Sequence, residues 1–364
     1  MKQSPFFTIL LPAKSRPRLV RDALISVLNQ SFTDFEVIVS NNGANSEVRC
    51  AIEELITDKR VQYIEQPEVL SMPVHWERIS RQATGRYITV LTDRSVLKKG
   101  ALKTIADVHQ SNHENSDIVT WDFDIFDDEA NLFGLSPFQT NLISLLDSAG
   151  VLLETMHFTS PCTYHSKIPR GLNSSVSMRL INKIRLQRKD IFVSLSPDYT
   201  FAFACLMTCN KLIHISCSLM ISQGGRYSNG GTAYSSEASS YLRSLKLINP
   251  IVFSKIKTPF VENLLAEDFL AACHTFGRSD LQEQYGMENV YLKCLTELEH
   301  KKERNILPIQ RLHKLEHSLK AALILEPKYV QDEVYKQWQR RNSWTLVTHW
   351  KTIRHSSALA VAAA

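Results

Sequence analysis

From Phe6 onward, short apolar runs of strand-forming residues alternate with longer amphipathic stretches. FFTILL leads to RLVRDALISVLNQ, FEVIVS to SEVRCAIEELIT, VQYIE to PVHWERISRQA and YITVL to GALKTIADVHQ, and DIVTWDF closes the series. Runs of strand length separated by stretches with helical spacing predict an α/β chain built on a doubly wound, mostly parallel sheet. Ligands of such sheets sit beyond the carboxyl ends of the strands. That rule singles out PAKSRP after the first strand, NNGAN after the second and TDRS after the fourth.

The pattern loosens between Glu129 and Gln187. NLISLLDSAGVLLETM reads as an apolar helix and SPCTYHSKIPRGLNSS as a long loop over a site. SLSPDYTFAFACLMTCN reads as a helix with Ser196 as N-cap, Pro197 in the first position and Asp198 in the first turn. KLIHISCSLMIS returns to strand spacing, either as a pair or as one long strand. QGGRYSNGGTAYSS follows as a flexible loop whose paired glycines permit close backbone approach.

Beyond Glu237 the spacing turns helical. This divides the chain into residues 1–236, the α/β domain, and 237–364, a helical carboxy-terminal region. Heptad-like leucines in PFVENLLAEDFLAACHTF, GMENVYLKCLTELEHKKE and LPIQRLHKLEHSLKAALILEP fit a small bundle packed on the first domain, or a homodimer contact. In the tail, Trp338, Trp344 and Trp350 are interleaved with Lys336, Arg340, Arg341, Lys351 and Arg354. Such mixing suits an interfacial helix on an anionic membrane, or equally a terminal helix docked on its own domain.

Composition narrows the partners. The chain of 364 residues is 44% hydrophobic and 22% charged, as expected of a globular protein. A formal net charge of +5 suits anionic small ligands or acidic lipid, and is too small an excess to argue for nucleic acid. The seven cysteines are scattered without paired CxxC groups, which argues against structural zinc and for reduced thiols in a cytosolic protein. No apolar run reaches membrane-spanning length, and the amino terminus reads as a first strand rather than a signal peptide.

The segments ILLPAKSRPRLVRDALISVLNQSFTDFEVIVSNNG, ATGRYITVLTDRSVLKKGAL and SPDYTFA, with the SNGG loop after them, come in the order found in family-2 glycosyltransferases. Over about the first 230 residues the chain resembles that family, of the GT-A fold and the bacterial surface-polysaccharide type. The resemblance implies a helical extension on a GT-A-type sheet, and inverting transfer of a sugar from a nucleotide-sugar donor, a UDP-sugar first, to a glycan or lipid-linked acceptor. Such an enzyme works in the cytoplasm, or peripherally on the inner membrane face. It also assigns roles. Pro12, Ala13, Ser15 and Arg16, with Asn41 and Asn42, would bind the nucleotide. Asn41 stands where the family generally has an aspartate, and it adds an amide donor that a carboxylate lacks. Asp198 matches the general base; the helix dipole there is expected to lower its pKa. Arg226 in the glycine-rich loop would be a mobile cation.

Other residues carry two readings. His75 and Trp76 on an amphipathic helix read as packed side chains before ligands, and Arg81 and Arg86 as exposed charges. Asp122, Asp124, Asp127 and Asp128 read mostly as solvated carboxylates, with Asp122 or Asp124 lining the acceptor pocket. In the metal motif, Asp93 aligns with the first carboxylate, but Arg94 and Ser95 replace the others. Either Arg94 itself neutralises the leaving diphosphate, with Asp93 fixing the ribose or that arginine, or Arg94 points away and Asp93 holds Mg2+ or Mn2+ with the donor phosphates and water. This substitution favours altered dependence on a divalent cation. It also keeps open a non-catalytic nucleotide-sugar binder or scaffold on the same fold.

Overall fold

A computed structural model describes residues 4–112, 117–127, 131–136, 140–157, 164–224, 242–243, 245, 250–340 and 351–353. Its parallel half is the one the alternation implies. Strand β1 (Phe7–Ala13) runs between β2 (Phe35–Asn42) and β4 (Tyr87–Val90), with β3 (Val61–Gln66) outside β2, all parallel. Every residue of β1 is buried, which is why it reads as a continuous apolar run. Helices α1 (Pro17–Leu28), α2 (Ser46–Ala51), α3 (Met72–Ser80) and α4 (Ala101–Ser111) supply the crossovers and flank the sheet.

The second half is antiparallel-rich. Strand β6 (Ile118–Asp127) pairs antiparallel with β7 (Leu132–Leu135) and with the short β9 (Ser174–Ser177), which joins it to β4. KLIHISCSLMIS forms one long strand, β10 (Lys211–Gln223), bulged between Ile215 and Met220. It is parallel to β6 and antiparallel to β5 (Ser95–Leu97) and β8 (Leu142–Asp147). The apolar helix expected from Asn141 is therefore half strand: β8 takes Leu142–Asp147 because β10 offers it an edge, and helix α5 (Ser148–His157) starts only afterwards. Four residues from Tyr164 to Lys167 form α6, and α7 (Met178–Arg188) and α8 (Pro197–Thr208) follow on either side of a tight connection.

The boundary expected near residue 237 lies outside the described residues. Beyond it come α9 (Val261–Phe276), α10 (Ser279–Glu283), α11 (Met287–Glu303), α12 (Ile309–Ile324) and α13 (Lys328–Arg340). They share one hydrophobic core with the α/β part, in which Leu10, Ile38, Phe203 and Leu206 belong with Phe269, Tyr291 and Val334. Trp338 packs against this core. The expected terminal helix does not continue through the whole tail, because Lys351–Ile353 forms an edge strand, β11, antiparallel to β7. Among the described residues no helix is long and apolar enough to cross a membrane.

Candidate active site

The TDRS segment is a tight turn. The Ser95 N–H donates to the Thr92 carbonyl at 3.0 Å, leaving Asp93 and Arg94 as the two central residues. Their side chains diverge. Asp93 reaches the loop after β1, where Arg16 Nε donates to Oδ2 at 2.9 Å and Nη2 to Oδ1 at 2.8 Å. Arg94 turns to the end of β10, where its Nη1 donates to the Gln223 carbonyl at 2.7 Å and to Ser222 Oγ at 3.2 Å. Contrary to one expectation, Asp93 therefore does not fix Arg94; both its oxygens hold Arg16, whose guanidinium comes over from the loop after β1.

This pair is forked and shielded, the geometry in which a guanidinium holds a carboxylate best. Asp93 is only 4% exposed, and burial pushes its carboxyl up to about 6 against the opposing pull of Arg16. Arg16 has φ 70° and ψ 58°, a left-handed backbone rare for a side chain with a Cβ and disfavoured before proline, directly ahead of Pro17 at the start of α1. The two bonds to Asp93 hold the guanidinium of that strained residue over the strand ends.

A second cluster faces the first. Asp198 lies in the opening turn of α8, and Arg170 Nη1 stands 3.9 Å from its Oδ2. The Arg170 guanidinium lies 5.7 Å from the Phe123 ring centre and 5.6 Å from that of Tyr199, and its Nε is buried without a hydrogen-bond partner. Burial pushes the Asp198 carboxyl up, and Arg170, the helix N–H groups and Arg94 pull it back. The expected net lowering by the dipole is therefore overturned, because desolvation outweighs a half-charge that is itself partly screened. Arg94 senses both clusters: burial and Arg170 push its guanidinium down, while Asp198 and Asp93 hold it charged.

The other expected residues divide. Pro12 and Ala13 are buried at the end of β1, while Ser15 is exposed. Asn41, fully buried, donates to the Asn45 carbonyl and to Tyr63 Oη and accepts from the Asn45 N–H. Asn42 accepts from the Leu70 N–H at 2.8 Å and donates to the Leu70 carbonyl at 2.9 Å. Both amides tie loops at the crevice together. His75 binds Ser40 Oγ at 2.8 Å with its ring pushed down to about 4 by burial, and Trp76 packs in the core. Arg81 pairs with Glu77 and Asp190, and Arg86 lies over the Phe6 ring.

Of the carboxylates expected to be solvated, Asp122 and Asp124 are buried instead, since β6 is interior and paired on both sides, while Asp127 at its end is half-buried. Asp124, fully buried, takes Lys98 and the Ser136 N–H; Asp122 stands 3.4 Å from His214 Nε2 and keeps a buried Oδ2 with no partner. Arg226 and Asp128 lie outside the described residues. Sequence reasoning missed Arg170. Its segment, KIPRGLN, has no periodicity, and the only signal was the expectation of a loop over a site.

The donor set does not fit a resident divalent cation. Both Asp93 oxygens are taken by Arg16, the adjacent side chain is a guanidinium, and no group of three His, Cys, Asp or Glu residues that could hold a metal ion occurs among the described residues.

With this geometry in view, comparison with known proteins shows what the chain is similar to. Residues 8–162 match the sequence profile of "Glycosyl transferase family 2". A curated relative, the GalNAc(5)-diNAcBac-PP-undecaprenol beta-1,3-glucosyltransferase of Campylobacter jejuni, is 29% identical over 103 residues, or 28% of this chain. The match spans only 33% of that relative's length. Among solved structures, S. aureus TarS 1-349 in complex with UDP-GlcNAc superposes with a TM-score of 0.51 at 16% identity, covering 91% of this chain and 92% of that one. The same fragment with UDP gives 0.50 at 15% identity, covering 96% of each. Residues 8–162 thus carry the sequence pattern of glycosyl transferase family 2, and the fold is similar to that of the TarS fragment.

Proposed function

We propose that the protein is an inverting glycosyltransferase that moves a sugar from a nucleotide-sugar donor, a UDP-sugar first, to a hydroxyl of a glycan or lipid-linked acceptor, in bacterial surface-polysaccharide assembly. The observation that carries this reading is the convergence of two charged clusters at the strand ends: Arg16–Asp93 with Arg94, and Asp198 with Arg170. In it, Asp198 takes the acceptor proton while the hydroxyl oxygen attacks the anomeric carbon, and the diphosphate leaves on the opposite face. Positive charge must meet the departing diphosphate, and Arg16 and Arg94 supply it without a resident cation. Asp122 and Asp124 shape the acceptor side from below, as buried supports rather than as contacts. The relative from C. jejuni carries a lipid-linked glycan in its name, which supports an acceptor of that class at a membrane face.

The test measures turnover of UDP-GlcNAc and UDP-glucose, with and without exhaustive chelation, for the wild type and for Asp198→Asn. We expect wild-type turnover that survives chelation, a loss of about a hundredfold or more in the variant, and unchanged UDP affinity. Loss of turnover on chelation, restored by Mn2+, would sink the arginine assignment. A wild type that binds UDP but turns over neither donor would favour the non-catalytic binder.

A further inference from the structure

We infer that Asp268, from the carboxy-terminal helices, is a positioning residue for Asp198, so that the helical region completes the active site rather than being appended to it. This rests on the reading of Asp198 as the base, and the argument begins at α8. Ser196 occupies the N-cap of that helix, yet its side chain makes no capping bond. The service falls to Asp268, on α9, whose Oδ2 accepts from the Ser196 N–H at 2.7 Å and whose Oδ1 accepts from the Leu195 N–H at 3.3 Å. Asp268 is 1% exposed, so these bonds form away from water, where losing them is most costly.

The segment so gripped is hard to hold by local means. Between α7 and α8, Lys189 and Ser194 both adopt positive φ, at 63° and 62°, without being glycine. Three side chains of the α/β part restrain it upstream. Glu77 accepts from the Ile191 and Phe192 N–H groups, Arg188 donates to the Asp190 and Ile191 carbonyls, and Thr200 Oγ1 donates to the Val193 carbonyl. At Leu195 and Ser196, the last two residues before α8, the restraint comes from Asp268. Leu195 itself packs against Leu245 and Leu264, and Phe203 of α8 meets Phe269 edge-to-face at 5.6 Å. Asp198 lies only two residues past this grip, so its carboxylate inherits the rigidity of the cap.

The experiment compares full-length wild type, Asp268→Ala, Asp268→Asn, Asp198→Asn and the Asp268→Ala/Asp198→Asn double variant. Amide hydrogen exchange should speed up about tenfold or more across 195–200 in Asp268→Ala, with β1 and β4 unchanged, and less in Asp268→Asn, which keeps one acceptor oxygen. Saturated turnover of UDP-GlcNAc should fall about tenfold in Asp268→Ala with UDP affinity within about twofold, and the double variant should be no slower than Asp198→Asn. Unchanged exchange at 195–200, uniform loosening that includes β1 and β4, or a turnover loss that multiplies with that of Asp198→Asn would each overturn the inference. A wild type inactive on UDP-GlcNAc would instead count against the proposed reaction, while the exchange pattern still decides the grip.

Discussion

Arg170 and Asp198 hold each other in a shielded corner where neither is well solvated, 14% and 19% exposed, and 3.9 Å apart. In the proposed reaction Asp198 is the base, and a base works only when ionised; burial raises its carboxyl while Arg170 lowers it. The sign follows directly. Turnover should rise with pH as Asp198 loses its proton, with the midpoint above that of an exposed aspartate. Removing the Arg170 charge takes away the largest opposing influence, so the acid limb of Arg170→Met should move to higher pH. Above that limb the variant should recover part of its rate, whereas a mere packing defect would lower the rate equally at every pH. A pH–rate profile of both proteins checks this, and superimposable limbs would remove Arg170 from the mechanism.

At the scale of elements, the turn carrying Arg170 depends on Gly171, whose φ is +77° and whose added Cβ would come within 3.2 Å of Val90 Cγ2. The Gly171 carbonyl accepts from the Val90 N–H at 2.9 Å, tying the turn to the end of β4 just before Asp93. Gly171→Ala should therefore cost about 1–3 kcal/mol, from the positive φ and the crowding, and should weaken turnover more than UDP affinity. Urea denaturation and steady-state kinetics read the two effects separately, and a neutral variant would show that the turn has room to relax.

This turn also marks where sequence reasoning stopped. Strand ends after β1, β2 and β4 were legible because buried parallel strands write continuous apolar runs, and PAKSRP, NNGAN and TDRS fall directly beyond them. The role expected of Asp198 came from the family resemblance, while the helix start at Ser-Pro-Asp was legible from its residues. Arg170 was not, because a turn set by tertiary hydrogen bonds leaves no period. Asp268 was not either: on an amphipathic helix a carboxylate reads as part of the polar face, and only the fold shows that LAEDF turns Glu267 and Asp268 inward onto backbone N–H groups. The strand β8 misled because LISLL has no partner in its own neighbourhood; its partner is β10, some seventy residues later.

The whole molecule follows from that inward turn. Two buried carboxylates of α9 cap segments on both sides of the expected boundary, Glu267 the N–H groups of Val252, Phe253 and Ser254 and Asp268 those of Leu195 and Ser196. The apolar core runs through the same interface, from Trp76, Phe192 and Phe203 to Phe269, Tyr285 and Tyr291. Each large side chain uncovered there forfeits about 1.5–3 kcal/mol, comparable in sum to the 5–15 kcal/mol net stability of an ordinary domain. A chain ending at residue 236 should accordingly fail to fold as an independent α/β domain. Expressed alone, it should bind a dye for exposed apolar surface and lack a cooperative thermal transition, whereas the full chain melts sharply. A truncated protein that unfolds in one sharp step within about 5 °C of the full chain, still binding UDP, would restore the division into two independent parts that the change in sequence pattern suggests.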